Sequence, residues 1–225
     1  MIVKKQYYEA YDDRYKQVHA KSLRWFSTIS TKIVEDIIEK YNITKSMSIL
    51  EIGCGEGRDA IHLLNKGYNL LATDISPTAI SYCKEKFKEF NNCFTILNCL
   101  ESVLYERFNF IFAISVLHML VLDTDRNKFY KFVYEHLEDD GIALICIMGD
   151  GIEETTSDIS TAFDLQYRIH DETGEELYIA GTSFRKVNFS SLSNEIAHNN
   201  LKVLESGITS IEPDFPKTMF VVVEK

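Results

Sequence analysis

The middle of the chain alternates between two spacings of apolar residues. Five short runs are almost continuously apolar: SILEI (48–52), NLLAT (69–73), FTIL (94–97), FIFAI (110–114) and IALICIM (142–148). Short runs without alternation are typical of strands that are buried on both faces of a sheet. They predict five strands in the central part of the chain.

Stripes with helical spacing separate most of these runs. Apolar residues recur at helical intervals over 60–64, 79–87 and 129–137, and Gly67 and Gly141 stand where the first and third stripes end. Alternating strands and helices of this kind predict an α/β fold, in which helices cover both faces of a parallel sheet.

The two ends of the chain carry patterns of their own. Tyr8, Tyr11 and Tyr15 share one helical face, and an apolar stripe over 33–38 predicts a second helix. Residues 150–187 show weak periodicity and many polar residues, as expected of an insertion over the edge of the sheet.

A helix and two further strands are expected after the insertion. The helix is predicted over 191–199, and the strands are predicted over 201–206 and 218–224. We therefore expect a single domain over 1–225. It would consist of an N-terminal helical segment (1–45), a ligand-binding core (46–149), the insertion (150–187) and a C-terminal helix with strands (188–225).

Charge and cysteine content narrow the range of partners. The 225 residues carry a formal net charge of −10, and residues 150–200 hold ten acidic residues against three basic ones. Such a surface would repel a phosphate backbone, so no nucleic acid partner is expected. Because the five cysteines lack C-x-x-C spacing, the sequence indicates neither a disulfide framework nor a metal site.

Nothing in the sequence predicts a membrane partner or export. There is no apolar run of about 18 residues and no charged-then-apolar leader. A cytoplasmic location is therefore the expectation.

The first predicted strand runs into a glycine-rich turn, ILEIGCGEGRDA (49–60). In a parallel sheet such a turn lets the backbone approach a ligand closely, and Asp74 ends the next strand, where a carboxylate can accept hydrogen bonds from both hydroxyls of a ribose. The pattern predicts a site for an adenosine-containing molecule. Its G-x-G-x-G spacing differs from the dinucleotide fingerprint, and Glu51 and Glu56 would repel a pyrophosphate but suit a sulfonium and an ammonium.

At this point the sequence resembles the class I S-adenosylmethionine-dependent methyltransferases. The resemblance covers roughly residues 30–148 and rests on EIGCGEG, TDIS and FNFIFAISVLHML. The run GCGEGRDAIHLLNKGYNLLATDIS is similar to the small-molecule enzymes of the tellurite-resistance and thiopurine type. The resemblance implies a Rossmann-like, mostly parallel seven-stranded sheet whose last strand is antiparallel, with S-adenosyl-L-methionine as the cofactor.

The resemblance also implies roles for individual residues. The glycines would line the methionine portion of the cofactor, Glu51 would lie near its amino group, Asp74 would hold the ribose and Ile75 would pack on the adenine. Asn98 stands where the family commonly has an acid. The complete set predicted for the cofactor is Glu51, Gly53, Gly55, Gly57, Asp74, Ile75, Asn98, Cys99, Ser115, Tyr11 and Tyr15.

The methyl acceptor is predicted less directly. The N/D-P-P-Y/F turn of enzymes that methylate base amines or glutamine is absent, since residues 115–118 read SVLH. This favours a small-molecule acceptor over a protein side chain. His118 is a candidate general base or a packed turn residue, and Arg185 is a candidate partner for an anionic acceptor or for nearby acids. Arg58 could steady the N-terminal segment or a carboxylate.

Residues 7–26 are rich in aromatic side chains, which would either close over the site, because methyl transfer requires that water be excluded, or simply pack against the sheet. Aromatic faces also attract a sulfonium, which favours Tyr11 and Tyr15 as cofactor contacts. Three alternatives stay open: a dinucleotide enzyme, a protein side-chain methyltransferase, and a non-catalytic module that binds S-adenosylmethionine or S-adenosylhomocysteine.

Overall fold

The computed structural model describes residues 5–170, 172–213 and 215–225. The α-helices are α1 (Ala10–His19), α2 (Lys32–Lys40), α3 (Arg58–Asn65), α4 (Pro77–Lys86), α5 (Asp123–His136) and α6 (Phe189–His198). The strands are β1 (Ser48–Ile52), β2 (Asn69–Asp74), β3 (Phe94–Ile96), β4 (Phe108–Ile114), β5 (Leu137–Met148), β6 (Thr155–Thr156), β7 (Leu165–Ile169), β8 (Glu176–Ala180), β9 (Arg185–Lys186), β10 (Lys202–Ile211) and β11 (Phe215–Glu224). Short 3₁₀ helices span Tyr7–Glu9, Lys88–Cys93, Leu117–Met119 and Ile159–Thr161.

Seven strands form one sheet in the order β10-β11-β5-β4-β1-β2-β3. Strands β1 to β5 pair in parallel, whereas β11 is antiparallel to both of its neighbours, β5 and β10. The predicted Rossmann-like sheet with an antiparallel last strand is thereby confirmed.

The central strands are buried on both faces, which explains why their sequences are almost continuously apolar. Along β1, Leu50 belongs to the core on one face of the sheet and Ile49 to the core on the other. Along β4, Ile111 and Phe112 divide in the same way. Each of these side chains is at most 1% exposed, and burying one such side chain contributes about 1.5–3 kcal/mol.

Residues with known preferences for helix starts stand where the two helices after β1 and β2 begin. Gly57, with φ of 80°, precedes α3. The side chain of Ser76 accepts a hydrogen bond from the amide of Ala79, and Pro77 occupies the first turn of α4. Both helices therefore start directly above the carboxyl ends of the strands that precede them.

The insertion contains regular structure that its weak periodicity did not predict. Strands β7 and β8 form a hairpin, and β6 pairs with β9. The sequence of β8 alternates, and its Leu177 and Ile179 pack with Val18 of α1. All of β7 is exposed, which explains why its pattern is weak.

The remaining differences concern the ends of elements. Strand β5 starts at Leu137 rather than at 142, and β10 extends to Ile211 rather than to 206. The stretch added to β5 has acidic residues at its exposed positions, and the stretch added to β10 (207–211) separates its two isoleucines by polar residues, so an apolar run could not indicate either. None of the helices in the described ranges is long and apolar enough to cross a membrane. Within the same ranges there is no group of three or more His, Cys, Asp or Glu residues placed to hold a metal ion.

Candidate functional site

A cleft lies at the carboxyl ends of β1, β2 and β4, where the order of the strands reverses. Its walls include ten of the residues predicted for the cofactor, namely Tyr11, Tyr15, Glu51, Gly53, Gly55, Asp74, Ile75, Asn98, Cys99 and Ser115. The eleventh, Gly57, begins α3 and faces the core beside Cys83 and Phe87. The structure therefore brings together residues that are far apart along the chain, and it places Gly57 behind the turn.

The turn after β1 requires glycine at two positions. Gly53 has φ of 75° and Gly55 has φ of 52°, a left-handed conformation that other residues rarely adopt. A Cβ atom at Gly53 would lie 2.3 Å from the Val116 side chain, and one at Gly55 would lie 2.6 Å from the hydroxyl of Tyr15. The backbone of the turn can thus approach a ligand closely.

Asp74 lies at the end of β2 and faces the turn. Its carboxylate accepts hydrogen bonds from the amides of Gly55 and Ser76, each at 2.8 Å. Burial raises the pKa of Asp74 to about 6, although these two amides oppose the shift. Each carboxylate oxygen can accept a further hydrogen bond, so the group can still hold the hydroxyls of a ribose.

Glu51 is a buried carboxylate that lacks a complete set of partners. The side chain lines the cleft, and its Oε2 atom has no hydrogen-bond partner among the described residues. Burial is the main reason that its pKa is raised well above the usual value. A buried carboxylate in this position is stabilised by a cation, and the ammonium group of an amino-acid ligand would supply one.

The part of the cleft expected to hold an adenine is apolar and lacks a reactive side chain. Ile75, Leu97 and Cys99 line it, and burial raises the pKa of the Cys99 thiol to about 12, which leaves it unreactive. Asn98 uses its Oδ1 atom to accept a hydrogen bond from the amide of Leu100. The geometry fits a nucleoside held by packing, with Asn98 as a neutral polar group at its edge.

Comparisons with known proteins support the same chemistry. Residues 50–143 match a family described as a methyltransferase domain. A relative from Haemophilus influenzae, named probable S-adenosyl-L-methionine-dependent methyltransferase TehB, is 28% identical over 117 residues. That match covers 51% of this chain and 41% of the relative, so the chain matches less than half of the relative's length.

Two solved methyltransferases resemble nearly the whole chain. The 1,6-didemethyltoxoflavin-N1-methyltransferase of Burkholderia thailandensis, with 1,6-didemethyltoxoflavin and S-adenosylhomocysteine bound, has a TM-score of 0.67 at 14% identity and covers 100% of this chain and 92% of its own. The glycopeptide N-methyltransferase MtfA, complexed with S-adenosyl-L-methionine, has a TM-score of 0.60 at 18% identity and covers 84% and 85%. At these identities the likeness shows the fold.

The comparisons confirm the predicted resemblance to S-adenosylmethionine-dependent methyltransferases, and the names of the relative and of the solved structure agree with the predicted class of enzyme and with S-adenosyl-L-methionine as the predicted cofactor. Two observations of this structure agree with that cofactor. The buried Oε2 atom of Glu51 has no hydrogen-bond partner among the described residues and would pair with a cation. The turn has no room for a Cβ atom at Gly53 or Gly55.

The segment 7–26 lies over the cleft and is held there by carboxylates. Glu56, which is 1% exposed, accepts hydrogen bonds from the amides of Trp25 and Phe26 and contacts His19 at 2.8 Å. Asp12 accepts hydrogen bonds from Ser76 and Thr78 at the start of α4. Glu56 therefore holds this segment against the turn. The sequence could not indicate this role, because the partners of Glu56 are backbone amides that are distant from it in the chain.

A second cavity adjoins the cleft. Its walls come from the N-terminal segment, the insertion and the start of β11, and it shares Tyr11, Phe26 and Phe215 with the cleft. The cavity encloses about 770 Å³ and the cleft about 100 Å³. The cleft is narrow because Tyr15 and Phe26 reach over Gly55, so a ligand of nucleoside size fits only if these rings move.

His118 and Arg185, the two residues predicted to act on the acceptor, lie in different surroundings. His118 is 2% exposed and lines the second cavity, where its Nδ1 atom has no hydrogen-bond partner among the described residues. Burial lowers its pKa to about 3, and positive charge on Arg126 and Lys186 adds to the shift. Arg185 instead pairs with Asp123 at 2.5 Å and with Glu195 at 3.5 Å.

Proposed function

We propose that this chain transfers the methyl group of S-adenosylmethionine to a small-molecule acceptor that occupies the second cavity. The observation that carries the proposal is the contact between the two spaces, which share the rings of Tyr11, Phe26 and Phe215. A methyl group at that boundary would meet an acceptor without leaving the protein.

The residues of the cleft would hold the cofactor by complementary charge. Glu51 would pair with its ammonium group, and Asp74 would accept hydrogen bonds from its ribose. Gly53 and Gly55 would let the turn lie against the methionine portion. When bound, S-adenosylmethionine supplies a methyl group on a positively charged sulfur.

The remaining work of the protein is alignment and exclusion of water. Methyl transfer is an in-line displacement, so holding the acceptor against the methyl group is the main contribution. Tyr11 and Tyr15 place aromatic rings beside the cleft, where they would attract the sulfonium. His118 would accept the proton of a hydroxyl or ammonium acceptor, and a thiolate acceptor would not need it.

The segments that cover the second cavity favour a small-molecule acceptor. The segment 7–26 and the insertion are tied together by Arg14, which donates to the carbonyls of Ala180 and Gly181, and by Gln17, which accepts from the amide of Ala180. A cavity of about 770 Å³ beneath such a cover suits a metabolite. The N-terminal segment would act as a lid, and the acidic surface argues against nucleic acid.

A cytoplasmic location is part of the proposal. All five cysteines are free, which is typical of a reducing compartment.

The first test is cofactor binding by calorimetry. S-adenosylhomocysteine should bind in the micromolar range, about −8 kcal/mol, and NAD should not. The second test is a mass-spectrometric screen with S-adenosylmethionine and pooled thiols, amines, phenols and carboxylates, in which a mass gain of one methyl group identifies the acceptor.

The outcomes separate the alternatives. Binding of NAD without S-adenosylhomocysteine would make the chain a dinucleotide enzyme. Binding of S-adenosylhomocysteine without methylation of any metabolite would favour a protein substrate or a binding module, which a second screen with peptides would then distinguish.

A further inference from the structure

The second cavity has a charge that contrasts with the rest of the molecule. The chain carries a net charge of −10, yet four cationic side chains line this cavity: Arg14, Arg24, Arg168 and Lys186. Among the described residues, the carboxylate on its wall is that of Glu172. Although the cavity is partly open at β7, a cleft lined by positive charge attracts anions locally, because it concentrates the field.

These cations are only partly neutralised by the protein. Arg14 is 6% exposed and donates to neutral oxygens of Ala180, Gly181 and Thr182, without an ion pair to a described carboxylate. Lys186 has no ion pair within the described ranges, and Arg168 donates to the neutral side chain of Gln166. Arg24 lies 3.9 Å from Glu56, whose oxygens already accept hydrogen bonds from Trp25 and Phe26.

Buried polar atoms in the same cavity also lack partners. In the described part of the chain, Arg24 Nε, His118 Nδ1 and Ser183 Oγ have no hydrogen-bond partner, and all three residues line this cavity. Leaving a buried polar atom unpaired costs about 1–3 kcal/mol. Because all three atoms are buried from solvent, a polar ligand would satisfy them only if side chains around the cavity move.

We propose that the methyl acceptor is an anionic small molecule, whose carboxylate or phosphate group binds Arg24, Arg168 and Lys186 in the second cavity. This inference rests on the proposed function, because it assigns the acceptor to that cavity. Arginine suits the task, since its guanidinium donates two parallel hydrogen bonds to a carboxylate or phosphate. Arg185, the arginine that the sequence indicated for an anionic acceptor, is engaged by Asp123 and Glu195 instead.

The experiment uses small aromatic probes of different charge. Benzoate, phenyl phosphate, benzamide and benzylamine are titrated calorimetrically into the full chain saturated with S-adenosylhomocysteine, at about 0.02 M and about 0.2 M salt. We expect an anionic probe to bind and to bind more weakly at the higher salt, and we expect benzamide and benzylamine not to bind. The comparison of benzoate with phenyl phosphate shows which of the two anions the cavity prefers.

Substitutions show where the anionic probe binds. Lys186→Gln and Arg168→Gln should each weaken binding of the anionic probe about tenfold, since each removes a charge-assisted hydrogen bond. Lys88→Gln, which replaces an exposed lysine outside the cavity, is the matched control and should leave it unchanged. Binding of S-adenosylhomocysteine is measured for each variant to show that the fold is intact.

Three results would overturn the inference: equal binding of benzamide and the anions, anion binding that survives both substitutions, or no probe binding while S-adenosylhomocysteine binds. Failure of S-adenosylhomocysteine itself to bind would instead remove the proposed function. The two failures are therefore distinguishable in one set of titrations.

Discussion

The hydroxyl of Tyr15 lies over Gly55 so closely that a Cβ atom on the glycine would come within 2.6 Å of it. Gly55→Ala should therefore push Tyr15 away from the turn and place a methyl group where we propose that the cofactor binds. We expect the affinity for S-adenosylhomocysteine to fall at least about tenfold, a loss of about 1.4 kcal/mol. Calorimetry on the folded variant measures this directly.

Two further variants distinguish the effect of the contact with Tyr15 from the effect of backbone strain at Gly55. Gly174 also has a positive φ, of 72°, but has no atom within 4 Å of its Cβ position. Gly174→Ala should therefore leave the affinity unchanged. Adding Tyr15→Phe to Gly55→Ala removes the clashing oxygen and leaves the ring carbon at 3.7 Å, an ordinary contact, so it should restore part of the affinity. No recovery in the double variant would mean that Tyr15 is not the obstacle.

Asp74 should make cofactor binding depend on pH. Its pKa of about 6 in the free protein means that the carboxylate is largely protonated at pH 5. Because the ribose hydroxyls bind the ionised form, affinity should rise about tenfold between pH 5 and pH 7. Asp74→Asn should bind more weakly at pH 7 and should lose this dependence. A dependence on pH that persists in Asp74→Asn would show that another group is responsible.

Glu56 should control how firmly the N-terminal segment covers the cleft. Glu56→Gln keeps the shape of the side chain but replaces a charged acceptor of the Trp25 and Phe26 amides with a neutral one. Trypsin should therefore cleave the variant at Lys21 or Arg24 faster than the wild type. S-adenosylhomocysteine should slow cleavage in both proteins, as expected of a closing segment.

The matched control for this experiment is Glu89→Gln, which removes a charge from an exposed position outside the segment. It should behave as the wild type does. Equal cleavage with and without S-adenosylhomocysteine in all three proteins would show that residues 7–26 are packing and not a lid.

His118 should affect stability at acid pH. Its pKa is about 3 in the folded protein against 6.5 in the unfolded chain, so below pH 6.5 the unfolded chain binds a proton that the folded protein does not. Stability should fall by about 1.4 kcal/mol for each pH unit below pH 6.5 on account of this residue. His118→Gln should flatten that slope in urea titrations at pH 5 to 7. Parallel slopes in both proteins would contradict the expectation.

The same substitution tests catalysis once an acceptor is known. If His118 is the base, His118→Gln should lower kcat about 10²-fold and leave the affinity for S-adenosylhomocysteine unchanged. Because its pKa is so low, the wild-type kcat should show no inflection from His118 between pH 6 and pH 9. Near-wild-type turnover in the variant would assign His118 to packing.

The sequence predicted the sheet and the cleft because both depend on local patterns. Apolar runs mark strands buried on two faces, as in β4, and a turn that needs a positive φ must use glycine, as at Gly53 and Gly55. Asp74 follows from its place at the end of a strand beside that turn. These features require no knowledge of which distant residues meet.

The second cavity could not be predicted in this way. Its cations come from α1, the following loop, β7 and β9, which are brought together by contacts such as those of Arg14 and Gln17 with the end of β8. An arginine on an open surface has the same sequence signature as an arginine that lines a cavity, such as Arg168. Arg185 and Lys186 are adjacent in the sequence, but their surroundings differ, and only the fold shows which one faces the cavity.

The attachment of α1 to β8 has a kinetic consequence. Since Tyr11 and Phe26 border both spaces, and Arg14 joins this segment to the insertion, one movement would open the two compartments together. Entry of the cofactor and departure of the methylated product would then share a single gate. Under that arrangement the opening rate sets an upper limit on turnover that is the same for good and poor acceptors.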